Sequence, residues 1–303
     1  MLYDVTLNIN YTYSQPTDQT RNLLRLLPRD IAEVQRIEDW SLTLTSPPSE
    51  QGHFTDYFGN NVTSAVWHRP VEEVKIALSF RVHRHADAPR LSLATSMRRL
   101  PAVLSANRDA TPQSPLHFTA TTRRAPVNYE MTAFARDHIR PGGTALDAVR
   151  AIGAAIHSEM TYAVDATDVD TEASDAFAAR AGVCQDFSHI MIACLRGVGI
   201  PAGYVSGFLR TYPPPGQDRL IGVDAMHAWV RAWVGPELGW VEFDPTNNQV
   251  AGIDYIAIGY GRDYDDIAPV RGSMRGAGTS TSEQSVDVAV VTPPSSRKAS
   301  RRD

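Results

Sequence analysis

Cysteine is scarce in this chain: there are two among 303 residues, Cys184 and Cys194. So few exclude a scaffold built on disulfides. Ten residues of helix would hold the two about 15 Å apart, beyond the reach of a bridge. The chain therefore suits a reducing compartment, and a cytoplasmic location is expected. No run approaches 18 consecutive apolar residues, so no membrane-spanning helix is expected. The opening Met1-Leu2-Tyr3-Asp4-Val5 has no basic stretch before an apolar one, so no signal peptide is expected. Excess positive charge is also missing. The net charge of −5 and pI near 6.0 give nucleic acid no reason to bind. The one basic cluster, residues 297–302, belongs to a segment (292–303) that reads as a disordered tail. C-x-x-C is absent, and His53, His68, His83 and His85 show no ligand spacing, so they read as surface histidines. No metal and no cofactor are expected.

What remains is an ordinary globular composition, 43% hydrophobic and 21% charged, long enough for two domains. Residues 4–13 alternate polar and apolar with period two, and Gln15-Pro16 marks an end. Residues 38–45, 62–67 and 74–82 are further strands, with a turn at Asp56-Tyr57-Phe58-Gly59-Asn60-Asn61. This spacing predicts a sandwich-like or barrel-like β domain over residues 1–125. From about residue 87 it reads as a linker with little regular structure. Residues 126–291 then read as a second, α+β domain. Helices are predicted over 129–139 and from Thr144, where Asp147 completes a capping box. Strands are predicted after Pro201.

The Gly182-Val183-Cys184-Gln185-Asp186-Phe187 stretch is followed by Phe187, Ile190, Met191, Cys194, Leu195 and Val198, the stripe of a helix with one buried face. Cys184 then stands at the N-terminus of that helix. Unpaired N–H groups and the helix dipole favour negative charge there, and the thiolate is the nucleophilic form of cysteine. Cys194 lies on the stripe and reads as a small buried apolar residue. Further on, residues 227–234 and 240–244 form a hairpin around Gly235-Pro236-Glu237-Leu238-Gly239. Opposing its outer ends places His227 against Asp244, within hydrogen-bond reach. A carboxylate so placed fixes an imidazole, and a third contact to Cys184 would complete a Cys–His–Asp site. Zinc is a poor alternative for the three, as structural zinc wants four ligands in close pairs. His189 falls one turn beyond Gln185 and reads as a supporting or surface residue. Trp229, Trp233 and Trp240 read as hairpin core or cleft wall. Residues 210–226, with Pro213-Pro214-Pro215, form a long connection that suits a lid.

Four stretches carry a resemblance. They are the Cys184 motif, Gly199-Ile200-Pro201-Ala202-Gly203-Tyr204-Val205-Ser206-Gly207, His227-Ala228-Trp229, and Gly239-Trp240-Val241-Glu242-Phe243-Asp244-Pro245-Thr246-Asn247. In this order they resemble the bacterial transglutaminase-like superfamily. The strands around Tyr57-Phe58-Gly59-Asn60 resemble its N-terminal β domain, and residues 259–270 its C-terminal segment. The resemblance implies a papain-like core, with helices packed on an antiparallel sheet. Cys184 would be nucleophile, His227 base and Asp244 the orienting acid. Gln185 and Tyr162 are candidate oxyanion donors, and Trp229 a supporting residue. It implies acyl transfer from a peptide or protein amide through a thioester, resolved by water in a cysteine peptidase or amidase. The alternatives are an amine acceptor, as in a transglutaminase, and a non-catalytic scaffold. Met226 and Arg231 depart from the family pattern and are expected in the cleft wall.

Overall fold

The computed structural model describes residues 1–85, 94–212, 224–275 and 279–291. Five strands come first: β1 (Leu2–Leu24), β2 (Gln35–Thr45), β3 (Glu50–Thr55), β4 (Asn61–Trp67) and β5 (Val71–Arg84). A mainly helical stretch follows: α1 (Leu100–Ala106), a 3-10 turn at Pro115–Phe118, α2 (Tyr129–His138), α3 (Ala145–Glu159), β6 (Thr161–Tyr162), α4 (Ala173–Ala179), β7 (Ala181–Gly182) and α5 (Cys184–Gly197). The second sheet is built from β8 (Ala202–Leu209), β9 (Ala225–Trp233), β10 (Trp240–Asp244), β11 (Gln249–Val250) and β12 (Tyr255–Gly261). After α6 (Tyr264–Ile267), the chain closes with β13 (Val270–Arg275) and β14 (Ser280–Val290).

β1 is much longer than the alternation over 4–13 suggests. Its first half pairs with β5 and β14, its second half with β4 and β13. Pro16 falls in the irregular register between Thr12 and Thr17, where a residue without an N–H costs no ladder bond. The strand thus passes the proline and bends. Its two halves enclose one core of Tyr3, Val5, Leu7, Leu24, Trp67, Val74, Ile76, Leu78 and Phe80.

Strand pairing and packing cross the division at residue 125 that the sequence suggests. β13 and β14 leave the α+β domain and complete the first sheet, because Val286 and Val288 are apolar on the face that β1 buries. The supposed linker is anchored at several points along its described residues. Leu100, Phe118 and Ala125 are buried, and Arg124 is tied to Asp170 and Asp265. A few anchoring side chains, spaced too irregularly for a periodic signal, hold it down. Residues 87–93 and the tail 292–303 lie outside the described residues.

The second sheet has the order β11-β10-β9-β8-β12, all antiparallel. α5 lies between this sheet and helices α2, α3 and α4. It is therefore buried on every side rather than along one stripe: Ser188, His189 and Arg196 are as enclosed as Ile190 and Leu195. Arg196 is accommodated because its guanidinium donates to the carbonyls of Phe118, Ala202 and Arg262. At α3 the predicted capping box forms, with Thr144 and Asp147 each bonding the other's backbone N–H. α3 meets β10 at Gly153, where an added Cβ would lie 2.2 Å from Phe243 Cε1. Gly→Ala in a helix interior ordinarily gains roughly 1 kcal/mol. Here overpacking reverses the sign, and Gly153→Ala is expected to destabilise by about 1–3 kcal/mol in urea unfolding.

Candidate active site

Cys184 is the first residue of α5, preceded by extended Val183. The turn that aims it is fixed by Asp186. Its Oδ2 accepts from Val183 N–H at 2.8 Å and from Thr167 Oγ1 at 2.6 Å. Valine has no side-chain acceptor, so only the carboxylate limb of a capping box is present. Short parallel pairing of Tyr162 with Gly182 brings β6 alongside this turn. Cys184 is partly exposed and Cys194 buried, and both are free thiols. Burial pushes the Cys194 thiol up to about 12.

His227 Nε2 donates to Asp244 Oδ2 at 2.7 Å, and Cys184 lies close enough to raise the pKa of the same ring. Three residues distant in sequence are thus brought near one another. The hairpin achieves this by a register other than the one expected. Trp240 pairs with Trp233 and Phe243 with Val230, so continuing the ladder sets Asp244 opposite Trp229, two residues from His227. Register counts outward from the turn, and β9 is longer than β10; opposing their outer ends was the error. Period-two alternation still puts His227 and Trp229 on one face, and diagonal neighbours on a sheet can be bridged by long side chains.

Asp244 is fully buried, and the side chain of His227 is 8% exposed. Besides His227, the carboxylate accepts from Thr246 N–H at 2.8 Å, Asn247 N–H at 3.2 Å, Asn247 Nδ2 at 2.7 Å and Tyr255 Oη at 2.7 Å. Burial alone would raise its pKa; hydrogen bonds from His227, Asn247 and Tyr255 outweigh it and hold the group below the usual carboxylate range. For His227, burial works to lower the pKa, but the bond to Asp244, the nearby Cys184 and the charges of both raise it to about 10. A buried imidazolium between a thiol and a carboxylate can hold a thiolate beside it and later return a proton.

The first turn of α5 leaves N–H groups without intrahelical acceptors, so the Cys184 amide is free to face a developing oxyanion. Of the candidate second donors, Tyr162 is 53% exposed and close enough for its phenol to feel the charge of Cys184. Gln185 gives an amide hydrogen to Val169 O at 3.2 Å. Trp229 is ruled out as a donor, since its indole N–H goes to Glu242 Oε2 at 2.7 Å. Its ring instead stacks against His227, centroids 6.1 Å apart and 28° between planes. A cleft of about 400 Å³ opens beside Asn247 and Tyr255, lined also by Arg210, Tyr212 and Asp254.

Family comparison matches residues 132–245 to the transglutaminase-like superfamily and residues 3–83 to the bacterial transglutaminase-like N-terminal region. An uncharacterized protein of Mycobacterium bovis is 32% identical over 292 residues, covering 95% of this chain and 91% of that protein. The chain belongs to the transglutaminase-like superfamily. A further superfamily relative, an uncharacterized protein of Mycobacterium leprae, is 31% identical across 94% of this chain and 97% of its own length. A stretch of 93 residues is 36% identical to protein-glutamine gamma-glutamyltransferase of Pseudomonas aeruginosa, 30% of this chain and 14% of that protein. A solved structure from Cytophaga hutchinsonii, described as a proposed cysteine protease, shares the superfamily fold. Its TM-score is 0.76 at 23% identity, over 97% of this chain and 92% of that one.

Arg231 is not in the cleft wall. It is 2% exposed, boxed in by the rings of Phe118, Trp240 and Tyr260 at 4.3–4.5 Å. Met226 packs on the first core. His189 is buried, accepts from Tyr264 N–H at 3.2 Å, and burial lowers its pKa to about 3. Residues 213–223 of the expected lid, including Pro213-Pro214-Pro215, lie outside the described residues. Its flanks are tied together, with Thr211 N–H and Oγ1 both donating to Asp224 Oδ1 at 2.7 Å. Sequence reasoning missed Tyr255; the only signal for it was an aromatic on a strand after the Asp244 turn. Among the described residues, no group of three His, Cys, Asp or Glu side chains could hold a metal ion, and no helix is long and apolar enough to cross a membrane. Iodoacetamide at pH 6 is expected to alkylate Cys184 about tenfold or more faster than Cys194. His227→Ala should remove that selectivity, as read by mass spectrometry of the two cysteine peptides.

Proposed function

We propose that this chain is a thiol-dependent acyl-transfer enzyme acting on a peptide or side-chain amide. The observation that carries the reading is the His227 ring hydrogen-bonded to Asp244, with Cys184 at the start of α5 close enough to raise the pKa of that ring. The Cys184 proton passes to His227, and the thiolate attacks the amide carbonyl. The oxyanion is received by the Cys184 N–H, with Tyr162 as the nearest side-chain donor. His227 returns the proton to the leaving amine and a thioester remains. Water, deprotonated by His227, then releases the acid as in a peptidase or amidase. An amine in place of water would give transfer, and the matched stretch of the Pseudomonas aeruginosa protein favours keeping that acceptor in the test. Two free thiols, Cys184 and Cys194, fit an action in a reducing compartment such as the cytoplasm.

Incubation with a peptide library, acid quench and mass spectrometry of the Cys184 peptide should reveal an acyl adduct that is absent in Cys184→Ala. Adding a primary amine then separates the acceptors by product mass. Failure of any acyl group to reach Cys184, with the thiol intact, would overturn the reading. The pH dependence follows from His227. Its proton is needed for the leaving group and persists until about pH 10, so kcat/KM should hold through neutrality and fall as the pH rises through that value. Asp244→Asn removes the charge that supports the imidazolium. It should bring the alkaline limb down towards ordinary histidine and lower kcat by on the order of 10²–10⁴.

A further inference from the structure

β12 is an edge strand of the second sheet, yet its outer edge is not bare. Gln35 Nε2 donates to Ala257 O at 2.7 Å, and Ala257 N–H donates to Gln35 Oε1 at 3.0 Å. Asn60 does the same with Tyr260: Nδ2 to Tyr260 O at 2.8 Å, and Tyr260 N–H to Oδ1 at 2.8 Å. Each side-chain amide thus mimics a strand residue, and both belong to the N-terminal sheet region. Gln35 and Asn60 are themselves buried.

Between the two clips β12 bulges. Ala257 pairs with Gly207 and Gly259 with Ser206, so Ile258 is the extra residue. The bulge has two effects. It lets Ala257 and Tyr260, three apart, both turn their backbone outward to the clips. It also brings Tyr255 and Tyr260, of opposite parity, into one cluster with Trp229. Gly259 is required there, because a Cβ would lie 2.3 Å from Asn60 Oδ1. Tyr255 Oη then reaches Asp244 Oδ2 at 2.7 Å while accepting from Gln249 Nε2 at 2.6 Å. Tyr260 Oη reaches Glu242 Oε1 at 2.8 Å, the carboxylate that also holds Trp229 beneath His227.

We propose that the N-terminal sheet is a working part of the site: through Gln35 and Asn60 it fixes the bulge of β12, and so sets Tyr255 as a positioning residue for Asp244. This rests on the reading of Cys184, His227 and Asp244 given above. The charged and titratable groups around Asp244 are His227 on β9, Cys184 on α5 behind it, Glu242 on its own strand with Arg231 opposite, Tyr255 on β12, and the Asp254–Arg210 pair next to Tyr255. Of these, Tyr255 is the one whose position the clips control.

The probe is iodoacetamide on the full chain, with the Cys184 labelling rate followed against pH. Tyr255 donates to the ionised carboxylate, so removing its hydroxyl raises the pH at which Asp244 takes up a proton. In Tyr255→Phe the acid-side loss of labelling should begin about 0.5 to 1 pH unit higher, the worth of one hydrogen bond. Gln35→Leu should move it in the same direction, although residue 35 touches no member of the site. In the double variant, Gln35→Leu should add nothing to Tyr255→Phe, since it acts through that hydroxyl. Gln35→Glu keeps the acceptor for Ala257 N–H, gives a smaller shift, and serves if the leucine variant does not fold. Loss of thermal stability without a shift in the limb would mean that the clips only hold the sheets together, and would overturn the proposal. So would full additivity in the double variant. If His227→Ala leaves labelling unchanged, the functional reading itself falls; if labelling depends on His227 but not on Tyr255, only the present inference does.

Discussion

A carboxylate kept ionised away from water is the constraint on which the rest of the site depends. Burying an isolated charge is costly, and the group would sooner take up a proton. Asp244 avoids this by accepting five hydrogen bonds from four residues: three of the bonds come from Thr246 and Asn247 close along the chain, one from His227 on β9 and one from Tyr255 on β12. Asn247 and Thr246 come from the turn that Pro245 begins, so most of the cage is local and forms with the end of β10. The bonds from His227 and Tyr255 are long-range and link three strands. The same atom, Oδ2, receives the imidazole, the phenol and the Asn247 amide. A change in any one of them therefore alters the charge that the other two feel.

Behind that carboxylate lies a second one. Glu242 shares a face of β10 with Asp244, and it takes Trp229 and Tyr260 as Asp244 takes His227 and Tyr255. Two acids, two ring donors from β9 and two tyrosines from β12 thus form successive tiers along the sheet. Only the outer tier meets the thiol. The inner one is sealed by Arg231 under three aromatic rings, with Gln113 Oε1 accepting from its guanidinium at 2.9 Å. Such stacking confines the rings that carry the outer tier, which is how a hydrogen-bonded group is held in one geometry.

Local features of this arrangement were legible in the sequence. Cys184 at a helix start, the hairpin, the Thr144 cap and the α+β order all follow from periodicity and turn chemistry, which act over a few residues. The family motifs supplied what those could not, the nearness of Cys184 to His227. The failures are of another kind. The diagonal approach of His227 to Asp244 depends on ladder register, which only the turn at Gly235 and Gly239 sets. The return of β14 to β1 joins strands almost a whole chain apart, and no local pattern encodes a partner. Phe118 and Arg124 carry no periodic signal because single anchors, not a repeating face, hold residues 94–128 in place. Tyr255 was invisible for a related reason: its role needs a bulge, and a bulge reads in sequence as nothing more than an isoleucine before a glycine.

The molecule also shows why burial by itself does not make a functional group. His189 and His227 are both enclosed, but their pKa values move apart, to about 3 and about 10. His189 accepts a backbone N–H and faces no hydrogen-bonded carboxylate, so burial decides and the ring stays neutral. His227 donates to one, and the partner's charge overrides the same desolvation. The two cysteines differ in their surroundings along one helix. Cys194, ten residues in, meets only the core and is driven towards the thiol. Cys184, at the open first turn, meets unpaired N–H groups and an imidazolium. Chemistry in this fold is thus located by which partner a polar group finds, and the partners are supplied by the ends of elements, where helix and hairpin leave their hydrogen-bonding groups unspent.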